Sequence, residues 1–64
     1  MKKNERLNWI DNINNTAAAI ASIIGSATVT SVFERVGVTC AEEANDSDLP
    51  EIFSELYAIE ADLK

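Results

Sequence analysis

Residues 49–63 carry an apolar stripe that admits one regular conformation. Leu49, Ile52, Leu56, Ile59 and Leu63 follow steps of three, four, three and four. At about 100° per residue they fall on one narrow face of a helix, with Phe53 beside it. Glu51, Glu55 and Asp62 project from another side. One face of this segment is therefore suited to burial, and another carries only negative charge. Pro50 belongs in the first turn, where a missing N–H costs nothing. Asp48 and Glu51 complement the unpartnered N–H groups at that end.

The same spacing organises the start of the chain. From Lys3 to Ile24, the residues Leu7, Ile10, Ile13, Ala17, Ile20 and Ile24 keep one helical phase. Trp9 and Ile23 lie off that stripe and widen it, which predicts more than one neighbour. Ala18, Ala19 and Ala21 add helix propensity. Asn14-Asn15-Thr16 is the weak point, because short polar side chains compete for backbone groups. The unbroken phase predicts one helix; the alternative is two shorter ones, with Asn15 or Thr16 capping the second. Small residues gather at Ala17, Ala18, Ala21, Ser22 and Gly25, where they admit a closely approaching backbone, within the fold or across a dimer.

Gly25-Ser26 breaks this helix, and Ser26 is placed to cap the next. Residues 28–33 are rich in β-branched side chains, which raises a strand. Val29, Val32, Phe33 and Val36 stand instead at i, i+3, i+4 and i+7, a helical set. Gly37 fits the left-handed position after that helix, with Val38 folding back onto Phe33 in a Schellman closure. Thr39 and Glu42 have the spacing of a capping box, predicting a short turn over residues 40–44. Residues 45–48, Asn-Asp-Ser-Asp, then end that turn and cap the last helix. The expected architecture is all-α: three main helices plus one short helical turn, in a single domain spanning residues 1–64.

Sixty-four residues make a small core. A chain of this size buries only about 60% of its unfolded surface, so a second copy is an expected source of stability. The one cysteine, Cys40, excludes an internal disulfide and points to a reducing, cytoplasmic setting. Met1-Lys2-Lys3 could begin an export signal, but Asn4, Glu5, Arg6 and the asparagines at 12, 14 and 15 interrupt it. Residues 12–33 carry no charge, yet they are too rich in Asn, Ser, Thr and Ala for a membrane span.

The charge is −6, from eleven acids and five bases, and it is unevenly placed. Residues 36–63 hold eight acids (Glu42, Glu43, Asp46, Asp48, Glu51, Glu55, Glu60, Asp62) and no base. That half repels phosphate and anionic lipid, so neither direct nucleic-acid binding nor membrane binding is expected. It suits a basic protein surface, or simply a solvated face.

The residue types argue against catalysis. With no histidine, the commonest general base is absent, and neither a serine nor Cys40 has its usual activating partner. Zinc lacks its ligands. Asp46, Asp48 and Glu51 do not meet the EF-hand pattern, and capping accounts for them. No Gly-rich phosphate loop is present, and no cofactor or metal is expected. Glu60 interrupts the terminal apolar arc, between Phe53 and Leu56. It either pairs with Arg35 or Arg6, in the same chain or a second copy, or reaches water near the end of the sequence. Tyr57 borders the arc with an apolar ring and a polar tip, a combination useful at an interface.

Ser31-Val32-Phe33-Glu34-Arg35-Val36-Gly37, followed by Asp48-Leu49-Pro50-Glu51-Ile52-Phe53-Ser54-Glu55-Leu56-Tyr57-Ala58-Ile59-Glu60-Ala61-Asp62-Leu63, resembles a pattern in short acidic proteins of bacterial mobile elements and prophages. The resemblance covers about the last half of the chain. It implies a genetic setting in which small accessory proteins and inhibitors of host defence are common. It assigns no activity and no functional residue.

Two functions follow as expectations. The first is a non-enzymatic helical interaction module that forms a homodimer. The second is an acidic nucleic-acid mimic that occupies the groove of a defence nuclease, of anti-CRISPR or anti-restriction type. Carboxylates at i and i+4 stand about 6 Å apart, close to phosphate separation along a strand. Glu51, Glu55 and Asp62, with Asp46 and Asp48, are the candidate partner-binding acids, and Tyr57 the candidate interface aromatic.

Overall fold

The computed structural model describes residues 1–63. Three helices run Lys3–Ile24 (α1), Ala27–Arg35 (α2) and Leu49–Asp62 (α3), and the described residues contain no strand. Two 3-10 turns, Ala41–Glu43 and Asp46–Asp48, lie between α2 and α3 where one turn was expected. Arg6 meets Asp46 and Trp9 meets Phe53, so the two long helices begin at the same end. The chain goes up, down and up again.

α1 is continuous through Asn14 and Asn15. Each asparagine costs a helix interior roughly 0.7 kcal/mol at most. Ile13 and Ile20 on either side are fully buried, and each stabilises by about 1.5–3 kcal/mol. Packing wins over propensity, and both asparagines face solvent. The buried face of α1 is Ile10, Ile13, Thr16 and Ile20. Thr16, read from sequence as part of a weak point, belongs to the core.

The two ends of the α1 stripe depart from expectation. Leu7 is 50% and Ile24 46% exposed. The two have different causes: at about 100° per residue Leu7 lies 120–180° round the helix from Ile13, Thr16 and Ile20, whereas Ile24 ends a helix of 22 residues against 9 for α2 and 14 for α3. At about 1.5 Å per residue α1 reaches ~33 Å, beyond the cover its shorter neighbours provide. The longest dimension of the molecule, 32 Å, is close to that length.

α2 ends as its sequence predicts. Gly37 takes φ 80°, its N–H bonds the Glu34 carbonyl at 3.0 Å, and the Val38 N–H bonds the Phe33 carbonyl at 3.1 Å. This is the Schellman pairing, and it turns Val38 back over Phe33. At the other glycine, Gly25, φ is 85° and ψ 175°. That combination is open essentially to glycine alone, and α1 stops there.

The predicted caps are not made. Ser26 and Asp48 stand before α2 and α3 with helical backbone angles, and neither side chain bonds the helix it precedes. Capping needs an extended residue that aims its oxygen back at the first free N–H groups. Asn45 is extended but likewise forms no side-chain cap. The box expected between Thr39 and Glu42 is displaced by one residue. Glu43 accepts from both the hydroxyl and the N–H of Thr39. The turn is correspondingly Ala41–Glu43, shorter than residues 40–44.

The core joins Ile10, Ile13 and Ile20 of α1 to Val29, Val32 and Phe33 of α2 and Leu49, Ile52 and Leu56 of α3. Ala41 and Ala44 complete it from the connector. Leu56 is fully buried, and Ile59 and Leu63 continue the stripe as half-buried residues. Among the described residues, no helix is long and apolar enough to cross a membrane.

Candidate functional site

The acids singled out from sequence divide between the connector and one side of α3. Asp46 is drawn into an ionic clasp: its carboxylate accepts from Arg6 Nη1 at 2.8 Å and stands 3.5 Å from the Met1 amino group. Arg6 Nη2 donates to the Glu42 carbonyl at 3.0 Å. Asn14 donates to the Glu42 carboxylate at 3.4 Å. The clasp fastens the connector to the first turns of α1. The hydrogen bond from Arg6 holds the Asp46 carboxyl below its usual value.

Glu55 turns toward α2, where Arg35 Nη1 lies 3.5 Å from its carboxylate. Glu51 and Asp62 are exposed, and Asp48 is half-buried. Asp46, Asp48 and Glu51 do not converge; among the described residues no group of three or more metal-ligand side chains comes together. Of the arginines considered as partners for Glu60, Arg6 reaches Asp46 and Arg35 reaches Glu55. Glu60 itself is half-buried.

Near Cys40, Glu43 accepts from the thiol at 3.6 Å as well as from Thr39. The Thr39 hydroxyl is the main cause of a lowered Glu43 carboxyl value.

Tyr57 lies about 120–140° round α3 from Glu51 and Asp62, at ~100° per residue. It belongs to a different surface, an aromatic row that bridges the two long helices. Trp9 and Phe53 meet edge to face with centroids 5.7 Å apart. Phe53 and Tyr57, four positions apart on α3, are tilted at 5.8 Å. Such pairs stabilise by about 0.5–1.5 kcal/mol beyond the area they bury. Burial falls along the row: Trp9 and Phe53 are half-buried, and Tyr57 is 58% exposed.

Beside Trp9 is an open pocket of about 180 Å³, lined by Glu5, Asn8, Trp9 and Asn12. These four stand at i, i+3, i+4 and i+7, so the helical repeat alone brings them together. Sequence reading placed Trp9 at the margin of the stripe and passed over the three polar residues. Their shared phase was the available signal. Phe53 and Trp9 are 44 positions apart, and no local pattern predicts that they touch.

Comparison with family models, curated proteins and solved structures gives no match.

Proposed function

We propose that this protein is a non-enzymatic interaction module that pairs with a second copy of itself and presents a negatively charged surface to a basic protein. The carrying observation is the apolar surface that one chain leaves over. α1 outreaches its neighbours at its last turn, where Ile23 and Ile24 stay about half exposed, at 56% and 46%. Between them, on the outer side of the helix, Ala18, Ser22 and Gly25 form an exposed strip without bulk, over which another helix can approach closely. A chain with so small a core gains from covering such a surface. The single cysteine supports a reducing, cytoplasmic compartment. The resemblance of residues 31–37 and 48–63 supports an accessory role on a mobile element or phage.

The nucleic-acid-mimic reading draws less support. It needs a row of free carboxylates, yet Asp46 and Glu55 are each engaged by an arginine of the same chain. Glu51 and Asp62 are the exposed members of that row.

Sedimentation equilibrium over a wide concentration range tests the module. The expected result is a mass of twice the 7.0 kDa chain. A strict monomer at high micromolar concentration removes the homodimer.

A further inference from the structure

We infer that the pocket beside Trp9, continued by Phe53 and Tyr57, is a docking site for an arginine or lysine side chain of a basic protein segment. The inference rests on the interaction-module reading and names where on the surface the basic partner attaches.

Size sets the first limit. A cavity of about 180 Å³ is smaller than the ~300 Å³ or more that a cofactor or drug-sized ligand takes. It suits one protruding side chain. Charge sets the second. The only charged group in the lining is the carboxylate of Glu5, and no lysine or arginine lines the pocket. Glu5 forms no ion pair among the described residues. The carboxamide oxygens of Asn8 and Asn12 add acceptors suited to N–H groups.

The remaining wall is the indole of Trp9, the side chain that attracts cations best through its ring face. The row continues outward through Phe53 to the exposed ring of Tyr57. A partner's neighbouring residues thus meet aromatic surface once the cationic head is seated. An apolar segment fits poorly, because it strands Glu5 and both asparagines away from water without hydrogen bonds. A phosphate is repelled by Glu5 and by the overall charge of −6. The pocket lies on α1, and its aromatic continuation, Phe53 and Tyr57, stands on the side of α3 away from Glu51 and Asp62, so it is separate from the acidic row.

The chain contains one tryptophan, so the indole N–H resonance of Trp9 reports on this pocket alone. The probes are three blocked pentapeptides of Gly-X-Gly-X-Gly form, with X arginine, lysine or neutral citrulline. Saturable movement of the Trp9 signal is expected with arginine and lysine and not with citrulline. Glu5→Gln is expected to weaken arginine-peptide binding about fivefold, and Tyr57→Ala about threefold. Both positions are exposed, and circular dichroism confirms that the variants fold. Glu51→Gln with Glu55→Gln leaves the Trp9 response intact.

Equal response to citrulline, no response to any peptide, or binding indifferent to Glu5→Gln overturns the site. So does loss of the response in the Glu51/Glu55 variant. A chain that dimerises while Trp9 ignores the cationic peptides loses this site and keeps the module. A monomer that binds them through Glu5 loses the homodimer and keeps the site.

Discussion

Arg6 closes on Asp46 across forty positions of chain, with Nη1 2.8 Å from the carboxylate oxygen. The Asp46 carboxyl is held below its usual value in the fold, chiefly by that hydrogen bond. A depressed carboxyl favours the folded state above its unfolded pKa, about 3.9, and that favour is lost as pH falls through the folded value. Asp46→Asn should therefore lower the urea midpoint near pH 7 and flatten the loss of stability below about pH 4. Glu43, lowered in the same direction by Thr39, leaves part of the acid slope in place. Urea titrations of both proteins near neutrality and near pH 3 measure the difference. An unaltered acid slope in the variant means that the clasp contributes nothing to folding.

Leu56 is the fully buried centre of the α3 stripe. Leu56→Ala should cost about 2–5 kcal/mol, a large share of the stability of a domain this small. The expected outcome is loss of the cooperative thermal transition followed by circular dichroism at 222 nm, a wavelength chosen for helix. Ser54→Ala, at an exposed position of the same helix, should shift stability by no more than about 0.5 kcal/mol.

The two glycines have different reasons to be glycine. A methyl group at either one meets nothing within 4 Å, so any penalty is conformational. Gly37, at φ 80° in a Schellman closure, should tolerate alanine at about 1 kcal/mol. Gly25 combines φ 85° with ψ 175°, and alanine there should cost up to about 3 kcal/mol. Chemical denaturation of both variants gives the order, and equal costs would show that the α1–α2 joint relaxes.

Ile23 and Ile24 face outward in the single chain, at 56% and 46% exposure. Replacing both with serine should leave the monomer fold within about 1 kcal/mol, the sum of two surface changes. It should shift the dissociation of the homodimer to higher concentration by tenfold or more, because the lost apolar cover is worth over ~1.4 kcal/mol. Sedimentation velocity reads this directly. Unchanged association in the double variant places the contact elsewhere.

Periodicity was the legible part of this chain. It drew α1 through its asparagines, placed α2 despite its β-branched residues, and marked Leu49, Ile52 and Leu56 for burial. The Gly37 closure was legible because its determinants lie within six positions. The caps at Ser26 and Asp48 misled, since residue type says what a side chain can do and backbone angle decides whether it does. Ile24 kept the phase of the buried stripe, but helix length, known only once all three helices are placed, left it outside, and Leu7 had already drifted round the helix from Ile13 and Ile20. Contacts such as Arg6 with Asp46 and Trp9 with Phe53 depend on assembly, and nothing near either residue encodes them. The candidate acids were therefore identifiable one by one, while their division between an ionic clasp, an α2 contact and open solvent was not.

The connector between α2 and α3 spans thirteen residues, 36–48, and would ordinarily be the first place to graft an epitope or split the chain. Ala41 is fully enclosed and Ala44 nearly so, while Asp46 anchors the segment to α1. An insertion there pulls two plugs from the interior. The two-residue joint at Gly25-Ser26, exposed on both residues in the single chain, takes an insertion without opening the core, and a bulky one there also blocks the surface proposed for the second copy.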